Sequence, residues 1–160
     1  MDTLNEEFLS FIKCAQANNL RYLLIGGYAV NYYGYTRNTK DMDVWIAPTN
    51  ENKSAFINTL LCLKYADNEV SPLLSEDFTK PFMGTIGSSH NSIDILTVVH
   101  HSLSFDEAEK NKSTIEIITG YFIHFVPYDF LKNMKLFARR DKDLWDIARL
   151  EEILSKSKNE

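Results

Sequence analysis

An apolar run, Tyr22-Leu23-Leu24-Ile25, stops on Gly26-Gly27, and a second one, Met42 to Ala47, carries Asp41 and Asp43 at its start. A short continuous apolar run that ends at paired glycines reads as a buried strand turning sharply into its next element. The second run alternates and is closed by Pro48, so it reads as another strand with two carboxylates at its mouth. Between them, Ala29, Val30 and Tyr33 fit a short helix closed by Gly34. This block demands a sheet and places glycines and acids together where its strands begin and end.

The rest of the chain alternates helical and strand patterns. Leu4, Phe8, Phe11, Ile12 and Ala15 recur at helical spacing up to Asn18-Asn19, and Thr49 or Asn50 caps a helix carrying Phe56, Ile57, Leu60, Leu61 and Leu63. Residues 66–77 are polar and interrupted by Pro, which predicts a loop. Strands are expected at Phe82–Ile86 and Ser92–Val99, joined by a hairpin over 87–91, and at Thr114–Ile118 and Tyr121–Val126 around Gly120, with a short helix at Phe105–Lys110. After Pro127, Leu131, Met134, Lys135 and Ala138 share one helical stripe, and Leu144, Ile147, Ala148, Leu150 and Leu154 form a second. The expectation is an α+β or α/β layer: a mixed sheet flanked by helices, with C-terminal helices, in a single domain over 1–160.

Composition narrows the function classes. The 160 residues are 44% hydrophobic and 12% aromatic, enough for a real core. A net charge of -5 argues against binding nucleic acid through an overall basic surface. The start, MDTLNEEFLSF, lacks the basic opening of a secretory leader, and no apolar run reaches the roughly 20 residues that cross a bilayer. Cys14 and Cys62 each sit within a helical pattern and read as reduced core residues, so the expected setting is cytoplasmic, with no membrane contact. His90, His100, His101 and His124 lack zinc-ligand spacing and read as loop or surface residues, and no nucleophile-elbow pattern supports hydrolase chemistry.

The acids carry the sharper signal. Positions two apart on a strand face the same side, so Asp41 and Asp43 lie side by side. A divalent cation such as Mg2+, which favours a few carboxylate oxygens together with substrate phosphates, relieves that repulsion. Asp94, between Ile93 and Ile95, puts a charge in an apolar strand and needs either the same cation or a salt bridge. Three such carboxylates can hold two ions, one activating an attacking hydroxyl and one steadying a departing pyrophosphate. Glycines at a strand-to-helix turn let backbone N–H groups approach phosphate.

LLIGGYAVNYYGYTRNTKDMDVWI followed by SIDILT resembles the polymerase-beta-like nucleotidyltransferase superfamily, whose signature is apolar-Gly-Gly, a helix, Asp-x-Asp and a later strand carboxylate. The closer similarity is to small prokaryotic members related to the toxins of abortive-infection systems. There Arg37-Asn38-Thr39-Lys40-Asp41-Met42-Asp43 matches Arg-x-Thr-x-Asp-x-Asp, and KLFARRDKDLWDI supplies Lys135, Arg140, Lys142, Asp143 and Asp146. The likeness covers roughly residues 20–150. It implies a metal-dependent nucleotidyltransferase that moves a nucleoside monophosphate from a nucleoside triphosphate to a hydroxyl on protein, RNA or a small molecule.

It further implies that Asp41, Asp43 and Asp94 are catalytic and bind Mg2+ or Mn2+, with Gly26, Gly27, Arg37, Thr39, Lys135 and Arg140 on the triphosphate. A toxin role with an antitoxin partner follows from the same likeness. Many members carry Ser after the two glycines; Tyr28 stands there, as a base-stacking ring or a core aromatic. Lys142, Asp143 and Asp146 also suit ordinary pairs within a helix. The competing reading is a catalytically inactive nucleotide- or partner-binding regulatory protein of the same fold, and a lesser one is an interaction protein using exposed Tyr32, Tyr33 and Tyr35.

Overall fold

A computed structural model describes residues 4–159; residues 1–3, where the leader expectation begins, and residue 160 lie outside the described residues. Asn5 caps the first helix, α1 (Glu6–Ala17), its side-chain oxygen accepting from the Phe8 N–H at 2.9 Å. Strand β1 (Tyr22–Ile25) turns at once into α2 (Gly26–Tyr32), and β2 (Met42–Ile46) leads to α3 (Asn50–Cys62), capped by Thr49. Then come α4 (Asp67–Val70) with a 3-10 turn (Ser71–Ser75), β3 (Met83–Ser88), β4 (Asn91–Leu96), α5 (Phe105–Lys110), β5 (Ser113–Ile118) and β6 (Tyr121–Phe125). Two helices, α6 (Tyr128–Ala138) and α7 (Asp141–Lys158), close the order.

The strands form one six-stranded mixed sheet in the order β3-β4-β2-β1-β6-β5, so the architecture is α+β with helices flanking the sheet. β1 runs antiparallel to β2, and β2 runs parallel to β4. Register sorts the faces: Tyr22, Leu24, Val44, Ile46, Ile93 and Ile95 share one, while Leu23, Asp43, Trp45, Asp94 and Leu96 share the other. On the first face Phe11 of α1 meets Tyr22 edge-on at 6.3 Å, and on the second Phe105 of α5 meets Trp45 at 5.3 Å. Each half of the core thus rests on a large aromatic pair.

Several expectations are corrected. The stretch 66–77 is not a loop: α4 and the 3-10 turn fill most of it, with Pro72 in the first turn, where its missing N–H costs nothing. The second C-terminal helix buries Asp143, Asp146 and Leu150, whereas Leu144 and Ala148 of the expected stripe are exposed. His124 is a half-buried residue of β6, beside Tyr22 at 5.4 Å, where burial pushes its imidazole down to about 4. Tyr32 and Tyr33 pack on the core, Tyr32 stacked on Phe125 at 4.3 Å and Tyr33 donating to the Val126 carbonyl at 2.7 Å. Tyr35 is partly buried, its hydroxyl accepting from the Trp145 indole at 3.0 Å.

Cys14 and Cys62 are not separate reduced residues but a disulfide joining the last turns of α1 and α3, with Cα atoms 5.8 Å apart. Helical periodicity identified both helices and was silent on their lying side by side. The bond closes a loop across a sequence separation of 48. Chain-entropy reasoning gives such a crosslink about 2–4 kcal/mol. Replacing both cysteines by alanine is expected to lower the unfolding free energy by that amount, and reductant should lower the native protein's denaturation midpoint while leaving the double variant's unchanged. No helix among the described residues is long and apolar enough to cross a membrane.

Candidate functional site

A cleft of about 760 Å³ opens where the start of β2, the middle of β4 and the β1–α2 turn face α6 and the start of α7. All nine residues singled out above as catalytic, metal-binding or phosphate-binding line it: Gly26, Gly27, Arg37, Thr39, Asp41, Asp43, Asp94, Lys135 and Arg140. Asp143, Lys142 and Lys40 line it too, and Asp146 lies just behind. A second cavity of about 570 Å³, beneath Ile86 and Ile93, holds Glu6, Glu7 and Glu69 but lacks a converging set of opposite charge.

The acidic wall follows from register. Because β2 and β4 are parallel neighbours with Asp43 opposite Asp94, strand spacing of about 4.8 Å sets two carboxylates side by side on one face. One rung down, the Ser92 hydroxyl donates to Asp41 at 2.8 Å. On the edge strand the Thr85 hydroxyl donates to Asp94 at 2.7 Å. The wall is therefore three carboxylates, two of them steadied by hydroxyls. No salt bridge reaches Asp94 among the described residues, so the ion-pair alternative raised for it does not occur there.

Asp43, in the centre, bears the strain of this arrangement. Burial, then the charges of Asp94 and Asp41, push its carboxyl up to about 6, and Lys142 and Lys135 offset only part of that rise. No group of three or more His, Cys, Asp or Glu side chains among the described residues is already drawn tightly enough to hold a metal by itself. The hydroxyl ties point Asp41 and Asp94 toward Ser92 and Thr85. Asp41, Asp43 and Asp94 are the residues that could hold a cation, as a partial set of hard oxygen donors.

The glycines serve this wall directly. Gly26 adopts φ +67°, a conformation L side chains rarely take, and a Cβ there would collide with the Asp43 carboxylate. A Cβ on Gly27 would strike Thr39, whose Cβ lies 2.8 Å from that position. Sequence reasoning assigned the pair to phosphate; their closest requirement is room for Asp43 and Thr39. Tyr28, which follows the two glycines, is half-buried and meets Phe8 edge-on at 5.5 Å.

The opposite wall is basic and is held by two buried carboxylates of α7. Asp143 receives Arg140 Nε at 2.7 Å and Lys135 Nζ at 3.3 Å. Asp146 receives Lys135 Nζ at 2.9 Å and Arg37 Nη2 at 3.0 Å. Burial alone would raise the Asp143 carboxyl, but the Arg140 hydrogen bond and the Lys135 charge hold it below the usual carboxylate range. Lys135 is itself buried between them. The proposed i, i+4 pairing of Lys142 with Asp146 is absent; Asp146 bonds across elements instead. Sequence reasoning missed Ser92 and Thr85, whose only signal was a hydroxyl facing an acid across strands.

No protein-family model and no curated protein matches the chain.

Two variants test this geometry. Gly26→Ala should destabilise the fold by at least about 1–2 kcal/mol from the backbone alone and displace Asp43, whereas Gly27→Ala need only shift Thr39; chemical denaturation ranks them. Asp43 has a folded pKa above its unfolded value, so its contribution to stability is present below about 4 and lost as pH rises through about 6. In metal-free buffer Asp43→Asn should therefore be more stable than the native protein at pH 7.5 by roughly 3 kcal/mol. That advantage should shrink through pH 6 and vanish near 4, which thermal melts across pH would reveal.

Proposed function

We propose that the protein is a metal-dependent nucleotidyltransferase, transferring a nucleoside monophosphate from a nucleoside triphosphate to a hydroxyl acceptor on protein, RNA or a small molecule. One observation carries the reading: residues drawn from positions 26 to 143 line a single cleft, with three carboxylates on one wall and the cations Arg37, Lys135 and Arg140 on the other. That polarity suits a polyanionic substrate whose charge is shared between bound cations and basic side chains.

The residues fit Mg2+ or Mn2+. Their donors are hard carboxylate oxygens, their mutual repulsion leaves negative charge unmet at Asp43, and the set is incomplete in the way Mg2+ prefers, with water and substrate phosphate as the remaining ligands. When bound, the cation supplies electrostatic stabilisation of phosphate charge and lowers the pKa of an oxygen it touches. Asp41 and Asp43, which line the cleft together with the β1–α2 turn, would hold it. Arg37, Lys135 and Arg140 orient the triphosphate across the cleft, and Gly26 and Gly27 line the path it follows.

In the transfer, the acceptor oxygen bonds to the α-phosphorus and the bond from that phosphorus to the bridging oxygen of the β-phosphate breaks, releasing pyrophosphate. The acceptor's proton passes to Asp94, which accepts only the Thr85 hydroxyl among the described residues and has its second oxygen free of any protein hydrogen bond. The narrower form of the proposal is a toxin held in check by an antitoxin partner.

The test is transfer of label from each α-labelled nucleoside triphosphate, with Mg2+ or Mn2+, to the protein itself, bulk RNA and a cell extract. Metal-dependent labelling is expected, falling at least 100-fold in Asp41→Ala/Asp43→Ala. A folded protein that labels nothing with any nucleotide or acceptor would sink the transferase reading and leave the regulatory binding protein.

A further inference from the structure

The buried ion network behind the basic wall is placed where an ordinary stabilising contact is not expected. Helix α7 buries only one apolar side chain, Leu150, and otherwise turns Asp143 and Asp146 inward. Both carboxylates are almost fully removed from solvent, with side-chain exposures of 1% and 2%. Stripping water from such ions offsets most of their mutual attraction, and apolar groups of similar volume often hold a fold as well. What apolar groups cannot do is fix the position of positive charge.

That is what the pair achieves. Arg37 comes from the loop before β2, Lys135 from α6 and Arg140 from the connection between α6 and α7. Asp146 bridges Arg37 and Lys135, and Asp143 bridges Lys135 and Arg140, so three cations from separate segments that line the cleft are tied into one linked set. Arg37 spends Nη2 on Asp146, while its Nε is buried without a hydrogen-bond partner among the described residues. Such an unmet buried donor is costly, so the ion pair with Asp146 is what keeps the Arg37 guanidinium at this place beside the cleft.

We propose that Asp146 is a positioning residue, holding Arg37 and Lys135 in the spacing that recognises a chain of linked phosphates rather than a single one. The identity of the anion rests on the nucleotidyl-transfer reading. Three fixed cations match a triphosphate; the same cations on free side chains would attract any anion through charge alone, with little regard for phosphate number.

Inorganic tripolyphosphate and orthophosphate, each with Mg2+, are the probes, titrated calorimetrically into the native protein and Asp146→Asn at a temperature where circular dichroism shows both folded. The native protein should bind tripolyphosphate at least tenfold more tightly than orthophosphate, and Asp146→Asn should bring that ratio to within about threefold. Asp146→Leu, apolar and of similar size, is the second variant should the first fail to fold; Asp143 still pairs Lys135 in it. A structural role predicts that any variant that folds keeps the native ratio, and that result would overturn the proposal. So would a native protein with no preference for tripolyphosphate.

The two readings fail separately. The probes contain no nucleoside and undergo no transfer, so absent labelling alongside an Asp146-dependent tripolyphosphate preference would remove the transferase reading alone. Labelling alongside an unchanged ratio would remove the positioning role alone.

Discussion

Three carboxylates on one face of two neighbouring strands repel one another, and burial makes the repulsion stronger. The parallel pairing of β2 with β4 creates the problem by setting Asp43 opposite Asp94. Much of the remaining architecture answers it. Gly26 leaves the space into which the Asp43 carboxylate fits, Ser92 and Thr85 donate to its neighbours, and α6 and α7 bring positive charge to the facing wall. The rise of Asp43 to about 6 measures how incomplete that answer is in the protein alone.

The two walls are built by different physics. The acidic one comes from backbone pairing, where register fixes side-chain direction to within a residue. The basic one comes from side-chain ion pairs between elements remote in sequence, where no backbone ladder sets the spacing and buried counter-ions must do so. On the sheet's other face, the disulfide between α1 and α3 ties together the two helices that back the strands.

The difference explains what could be read from the sequence. β1 and β2 were legible almost to the residue because Gly26 and Pro48 punctuate them; Asp41 and Asp43 stood out as paired acids opening a strand, and Asp94 as a charge in apolar surroundings. Periodicity misjudged α7 because it counts apolar residues, and that helix buries acids whose partners, Lys135 and Arg37, lie on other segments. Pro72 argued for a loop but sits in the opening turn of a short helix, where proline is at home. The pairing of Cys14 with Cys62 depends on which helices are neighbours, a fact carried by the sheet order and not by either helix.

Chain order gives the two-walled cleft a consequence for biosynthesis. Every residue of the acidic wall has been translated by Asp94, whereas the basic wall is finished only when α7 supplies Asp143 and Asp146. A nascent chain that has paired β2 with β4 holds an acidic surface attractive to cations and hostile to polyphosphates. The cations Arg37, Lys135 and Arg140 all precede α7, and that helix adds the two carboxylates that hold them in place. A chain that stopped short of α7 would therefore carry both sets of charges but not the buried acids that fix the spacing of the cations.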